Sequence, residues 1–400
     1  MNVPKLRFSE FKGHWTEERL DNLGSLERGK SKHRPRNDFK LYGVEYPFIQ
    51  TRDVKKAGIY LTESEQFYSE FGLNQSKLWG KGTLCITIAA TIAETTILDI
   101  EACFPDSIIG FTPTKDKSSV IFIKLYFDYI KSYLSKMSEG VAQDNMNLEK
   151  LRKLIVKIPS LDEQQKISSF LVLLDQHIGQ QQKKVELLKL QKKGFMQKIF
   201  SQELRFKDEN GKLFTKWRKY SLKQVMTEFN QKTKENNEFP VISSTSKGVM
   251  LQSEYFNRQI ASEDNTGYKI LKKYQVVLSP QNLWLGNINY NSKYDIGIVS
   301  PSYKIFEINE QFDKSFIAYA LVIPKMFYNY KISSEQGASI VRRNLNLDMF
   351  YEINCSIPCF EEQKKISSFF EEFDKKINYE EDKLNNLIAQ KQAFMQQMFI

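Results

Sequence analysis

Histidine is scarce in this chain, 3 in 400 residues, which leaves little material for acid–base catalysis by imidazole. Cysteine is nearly as scarce: Cys85, Cys103, Cys355 and Cys359 are the whole supply. The Cys355–Cys359 spacing loosely suits a metal, but a zinc site takes about four ligands, and His14, His33 and His177 all lie elsewhere. The thiols read as free or buried groups of a reducing cytosol. No apolar run approaches the roughly twenty residues of a membrane span. The opening MNVPKLRFSEFKGHW lacks the apolar stretch of a secretory signal, so none is expected. G-x-S-x-G, H-E-x-x-H, an Asn/Asp-Pro-Pro-aromatic string, a glycine-rich cofactor loop and a nuclease carboxylate–lysine cluster are missing too. These gaps favour a binding protein over an enzyme.

What is present begins with charge. Lys and Arg number 58 against 48 Asp and Glu, a net +10 with a pI near 9.1, which favours a polyanionic partner. A hydrophobic fraction of 41% and an aromatic fraction of 13% support packed cores. The length suits about two to four domains.

The chain also repeats itself. IPSLDEQQKISSFLVLLDQHI (Ile158–Ile178) returns as IPCFEEQKKISSFFEEFDKKI (Ile357–Ile377), and QKKGFMQKIF (Gln191–Phe200) returns as QKQAFMQQMF (Gln390–Phe399). Both matches sit at one offset of 199 residues. A repeat of this length means duplicated architecture. A second repeat opens each half: Leu6-Arg7-Phe8, Trp15 and Leu20 against Leu204-Arg205-Phe206, Trp217 and Leu222. In mid-chain this opening follows a helix directly, as FMQKIFSQELRF, so joining the chain ends would continue the pattern. A pseudo-two-fold closed object with adjacent termini is expected.

The repeated segments read as long helices. Ser160 to Glu163 fits a capping box; Cys359, the equivalent of Ser160, is a poorer cap. Apolar residues then recur as a heptad seam: Ile167, Leu171, Leu174, Ile178, Val185, Leu188, Phe195 and Ile199 in one copy; Ile366, Phe370, Phe373, Ile377, Leu384, Leu387, Phe394 and Met398 in the other. Two seam slots are polar in both copies, Gln181 or Glu380 and Lys192 or Lys391, and polar seam residues set register. Antiparallel pairing about a local two-fold would bring Gln181 and Glu380 near the axis of rods roughly 60 Å long. The chain divides into globular segments 1–158 and 203–357 and helical segments 159–202 and 358–400.

The globular segments carry short β-like runs: Thr83–Ala89, Ser119–Ile123, Gln275–Leu278, Gly297–Ser300 and Tyr303–Ile308, with a helical stretch from Asp313 to Met326. An α+β fold is expected. Both segments end alike, Asn145-Met-Asn-Leu-Glu149 and Asn344-Leu-Asn-Leu-Asp348, but diverge almost completely between. One string looks catalytic: Gly24 to Ser31 satisfies G-x-x-x-x-G-K-[ST]. A phosphate loop needs an apolar strand before it and a helix after it. Here Thr16–Asn22 is too polar, and Pro35 stands where the helix should run. A basic loop of Arg28, Lys30, Lys32, Arg34 and Arg36, able to hold phosphates by charge, is the better reading.

Two P-x-x-x-E-Q-x-K-I helices, the closing F-M-Q motifs and the Leu-Arg-Phe…Trp openings together resemble the specificity subunits of type I restriction–modification systems. The resemblance implies two target-recognition domains, each reading half of a bipartite, asymmetric DNA site, alternating with two helices that pair as an antiparallel coiled-coil ruler. It implies two modification subunits, which bring S-adenosylmethionine and methylate adenine, and two restriction subunits, which add translocation and cleavage driven by ATP and Mg. None of that catalysis, and no cofactor, would belong to this chain, which would work in a bacterial cytoplasm at the nucleoid. The rival readings are a P-loop nucleotide-binding enzyme using Lys30 and Ser31, and a coiled-coil adaptor without a DNA role.

In such a reader, phosphate contacts position and base-edge contacts specify. Arg or Lys suits guanine and Asn or Gln suits adenine. The candidates in the first domain are Lys30, Lys32, Arg34, Arg36, Gln50, Thr51 and Arg52. Those in the second are Ser243, Ser244, Thr245, Lys247, Gln281, Asn282, Trp284, Arg342 and Arg343.

Overall fold

The computed structural model describes residues 3–89, 92–139, 146–245, 248–255, 263–336 and 343–400. It comprises two compact units, Met1–Lys183 with Glu381–Ile400, and Lys184–Glu380. Two long helices, Leu161–Phe200 and Phe360–Met398, each give one half to each unit.

In the first unit an antiparallel strand pair, Thr16–Arg19 with Ile155–Ile158, closes the base of the domain. A five-stranded sheet follows in the order Gly24–Arg28, Ile108–Pro113, Leu84–Thr87, Thr95–Leu98, Tyr60–Leu61. A four-stranded sheet runs Gln66–Tyr68, Tyr42–Phe48, Ala102–Cys103, Leu78–Trp79. The helix Val120–Glu139 contributes Phe122, Ile123, Leu125, Tyr126 and Phe127 to the main core. This corrects the expected strand at Ser119–Ile123. Five residues cannot separate the two periods, but the apolar pattern continues through Ile130 and Leu134 with helical spacing. Ser119 Oγ accepts the Phe122 N–H at 3.4 Å where the helix begins.

The second unit repeats the plan with different side chains. Arg218–Ser221 pairs with Asn354–Ile357. Its main sheet runs Met226–Phe229, Lys304–Ile308, Val276–Leu278, Ile288–Tyr290, matching the first four strands of the five-stranded sheet in order and sense. The expected helix over Asp313–Met326 is two helices, Lys314–Ala320 and Pro324–Ile332. Asp313 caps the first by accepting the Phe316 N–H at 2.8 Å, and Pro324 begins the second. The shared closing motifs are caps: Asn147 accepts the Lys150 N–H at 2.9 Å, and Asn346 the Met349 N–H at 3.2 Å.

The repeated Glu-Gln dipeptide is the joint between long helix and globule. Arg7 donates to both Glu163 carboxylate oxygens at 2.7 Å, and Trp15 Nε1 donates to Oε1 at 3.3 Å. In the second unit Arg205 donates to Glu362 at 3.1 and 2.6 Å, and Trp217 Nε1 does so at 3.1 Å. Glu163 is 1% exposed and Glu362 is 0% exposed. Each is a buried carboxylate satisfied by a forked Arg and an indole, the geometry in which such pairs are strong. The adjacent glutamines complete the joint. Gln164 donates to the Pro159 carbonyl at 3.0 Å and accepts the Ser119 N–H at 2.9 Å; Gln363 donates to the Pro358 carbonyl at 2.9 Å and accepts the Asp313 N–H at 2.9 Å. The expected capping box is thus half correct. Ser160 Oγ accepts the Glu163 N–H at 3.4 Å, but the Glu163 side chain serves Arg7 and Trp15 rather than its own helix end.

The helix ends close onto the same joints. Phe200 packs on Trp217 and Phe316; Phe399 packs on Trp15 and Phe122. The Leu204 N–H donates to Lys198 O at 3.0 Å through continuous chain, and the Leu6 N–H donates to Gln397 O at 2.9 Å across the two chain ends. Leu6 and Gln397, near the two chain ends, therefore lie side by side in the first unit, as the repeat implied.

Within each unit the helix halves run antiparallel. In the first unit Phe170 meets Phe394 and Lys391 donates to Asp175 at 2.6 and 2.8 Å. In the second, Phe195 meets Phe369 and Phe373, Lys192 pairs with Asp374, and Lys184 pairs with Glu380 at 2.6 Å. All the seam residues named above are buried or half-buried. The Asp partners of Lys192 and Lys391 were missed in the sequence, although Asp175 and Asp374 stand 199 residues apart within the repeat itself.

Arg7→Met leaves a buried carboxylate uncompensated and lowers unfolding stability by about 3–5 kcal/mol. The double variant Arg7→Met/Glu163→Met recovers most of that loss in urea titrations. A single variant no less stable than the double would contradict the joint. A double-mutant cycle on Asp175 and Lys391, each to Ala, yields a coupling of about 0.5–3 kcal/mol; a coupling of zero would show the seam pair to be incidental.

Candidate nucleic-acid interface

The basic loop of the first unit begins where the strand Gly24–Arg28 leaves the sheet. This strand is the supposed phosphate loop itself, paired with Ile108–Pro113. A Cβ on Gly24 would lie 2.4 Å from the Thr112 carbonyl oxygen, and one on Gly29 would lie 2.3 Å from that of Pro105. Both glycines serve close packing, and no helix follows Ser31 before the short turn at Phe39–Leu41. The P-loop geometry is absent from these residues.

The loop is pinned rather than slack. The Lys32 N–H donates to Gln75 O at 3.1 Å, Ser76 Oγ donates to Lys30 O at 2.9 Å, and the His33 ring meets Phe71 edge-on. Arg34 donates to the Ser31 and His33 carbonyls at 2.6 and 2.8 Å. Arg36 is held by Asp106 at 2.7 and 2.9 Å, so its charge is largely offset. Lys30 and Lys32 are exposed and present their ammonium groups to solvent. Gln50 caps the helix Thr51–Lys56 and donates to Gln66 at 2.6 Å. Arg52 is exposed, 3.6 Å from Asp53.

In the second unit the candidates divide. Ser243, Ser244 and Thr245 form a buried strand. Ser244 Oγ meets Asn287 Oδ1 at 2.5 Å and accepts from Asn289 at 2.8 Å, while Thr245 Oγ1 donates to Gly248 O. These hydroxyls stabilise the hairpin and are not presented to a ligand. Gln281 and Asn282 border Ser279, at 3.4 and 3.3 Å. Trp284 and Arg343 come together: the guanidinium lies 5.3 Å from the indole centroid, a cation–π stack. Among the described residues Trp284 Nε1 has no hydrogen-bond partner. Next to it Leu285 is exposed on the turn Leu283–Leu285. Lys247 and Arg342 lie outside the described residues.

Sequence reasoning overlooked the exposed apolar residues Phe39, Val44 and Leu285, because an isolated apolar residue in a polar loop carries no periodic signal. The four cysteines are free thiols, Cys85, Cys103 and Cys355 buried and Cys359 half-buried; burial pushes the Cys103 thiol up to about 11. Among the described residues no group of His, Cys, Asp or Glu could hold a metal ion, and no helix is long and apolar enough to cross a membrane.

These features make two pinned surfaces, one cationic and one built on an Arg–Trp stack, on two units of the same plan. Among solved structures, the S subunit of a type I restriction–modification system from M. genitalium superposes with a TM-score of 0.59 at 16% identity, covering 100% of this chain and 99% of that one. A structure from work on complex assembly and conformational transition of the type I R-M system matches with a TM-score of 0.57 at 12% identity, covering 96% and 97%. The MjaIX type I restriction enzyme specificity subunit of Methanocaldococcus jannaschii is 25% identical over 182 residues. That match spans 44% of this chain and 41% of the relative. The family described as type I restriction modification DNA specificity domain matches twice, over residues 12–189 and 215–390. The chain belongs to this family of type I restriction–modification specificity proteins.

Proposed function

We propose that this chain is the DNA-binding specificity subunit of a type I restriction–modification complex, reading a two-part asymmetric site. One observation carries the reading: the Glu–Arg–Trp joint and the sheet order are the same in both units, while the surfaces they hold up are unlike. A matched frame with two different faces suits an asymmetric target and has no evident use in an enzyme. The exposed Lys30 and Lys32 supply phosphate contacts, which position without specifying. In the second unit the Trp284–Arg343 stack, with Asn282 beside it, offers a planar cation and an amide for base edges.

This role leaves the chemistry to partners. Two modification subunits would supply S-adenosylmethionine chemistry on adenine, and two restriction subunits would supply ATP- and Mg-dependent translocation and cleavage. The chain itself would be non-catalytic, acting in the bacterial cytoplasm on nucleoid DNA. Leu187, Leu190 and Tyr379 of the second unit and Leu173 of the first are exposed apolar residues on the long helices, suited to packing against partner helices.

With modification subunits bound, duplex affinity falls steeply and log-linearly with salt, as charge-driven DNA contacts require; a flat dependence would favour an adaptor without DNA contacts. Deleting the gene removes one two-part adenine-methylated motif from the host methylome. A methylome unchanged by the deletion would overturn the reading.

A further inference from the structure

We infer that Phe39 and Val44 are base-reading side chains of the first unit, which take thymine methyl groups in the major groove of one half-site. The inference rests on the DNA-reading function proposed above. Phe39 is 80% exposed and Val44 is 83% exposed, although each stands on a backbone that is firmly held. Phe39 opens the turn Phe39–Leu41, whose cap Asp38 accepts the Lys40 N–H at 3.0 Å and holds His33 Nε2 at 2.8 Å. Val44 sits in a bulge of the strand Tyr42–Phe48, where Tyr42 and Tyr46 both pair with Tyr68.

The bulge is built, not frayed. A Cβ on Gly43 would stand 2.4 Å from Glu45 Oε2 and 2.9 Å from Ser69 Cα, so glycine is needed for the chain to pass. The Glu45 carboxylate accepts the Val44 N–H at 3.1 Å, satisfying a donor the bulge would otherwise orphan. Ser69 joins the two tips: it abuts Gly43, its Oγ donates to Lys40 O at 2.6 Å, and its N–H donates to Leu41 O at 2.9 Å. Two apolar side chains are thus presented to water from one rigid platform.

The surroundings select the occupant. Lys30, Lys32, Arg34 and Lys40 are exposed on the same loop, so the apolar tips are flanked by cations suited to phosphates. Within a major groove, apolar side chains distinguish thymine by its C5 methyl group. Pre-organisation removes the ordering cost that a flexible tip would add on binding.

The test uses the chain assembled with its modification subunits. Wild type, Phe39→Ala and Val44→Ala complexes methylate a duplex library randomised across both half-sites, and the modified molecules are sequenced. Wild type should show, in one half-site, a thymine preference on either strand at a position other than the one paired with a methylated adenine. Each variant should weaken that preference by about tenfold and leave the other half-site unchanged. The inference falls if the variants select the wild-type motif, if both half-sites relax together, or if neither half-site of the wild-type motif contains a preferred thymine beyond those paired with the methylated adenines. If wild type selects no two-part motif, the DNA-reading function itself fails with it. Both positions are exposed, so matched melting temperatures will confirm that folding is not the cause.

Discussion

The buried carboxylate at the start of each long helix is the constraint on which the rest of the architecture depends. Glu163 and Glu362 are almost wholly removed from water, and a charge so placed is tolerable only if its partners are fixed in position. Those partners come from distant sequence. Arg7 and Trp15 precede Glu163 by about the length of a whole domain, and Arg205 and Trp217 stand in the same relation to Glu362. Satisfying one carboxylate therefore draws the entry of the globule, its first strand pair and the root of the helix to one point. Either the complete joint forms or a charge is left stranded, and this makes the helix–globule junction specific as well as stable.

The joint also explains how the two domains can diverge. Among the described residues the glutamine after each buried glutamate bonds to backbone: Pro159 O, Lys117 O and the Ser119 N–H in one unit, Pro358 O and the Asp313 N–H in the other. Backbone groups are indifferent to which side chain follows. A recognition domain need supply only one helix start at that position, and both do, with the unrelated sequences SVIFIKLYF and DKSFIAYAL. The remainder of each domain is free to change its surface.

The frame was legible in the sequence and the interface largely was not, for a physical reason. Frame contacts recur, so they are written twice: the seam, the Leu-Arg-Phe…Trp openings and the Glu-Gln pair each appear at matched positions. Single-use contacts leave no such trace. Arg36 looked like a free cation until Asp106, seventy positions on, proved to hold it. Ser243, Ser244 and Thr245 looked like donors for a ligand, but their hydroxyls are engaged within the fold: Ser244 with Asn287 and Asn289, Thr245 with Gly248 O and Ser243 with Gln252. Ser119–Ile123 was misread because a short β-branched apolar run suits a buried strand and a helix start equally well. Trp284 and Arg343 were both singled out, but their stacking depends on a turn and a strand with several strands and the helices Lys314–Ala320 and Pro324–Ile332 between them in sequence, and nothing in either local sequence states it.

The polar seam follows the same logic of specificity over strength. An all-apolar antiparallel seam can slide by a heptad at little cost. A half-buried Lys–Asp pair cannot, because sliding leaves a lysine and an aspartate facing apolar neighbours without each other. Lys391 with Asp175 and Lys192 with Asp374 are equivalent positions of the repeat, so the same register is enforced in both units. In the second unit Tyr319 adds a third partner, donating to Asp374 at 2.6 Å while Lys192 lies over its ring. There the register device is tied to a helix of the globule itself. A shift of the seam would be felt by that domain, and the placement of its reading surface is coupled to the pairing of the helices that carry it.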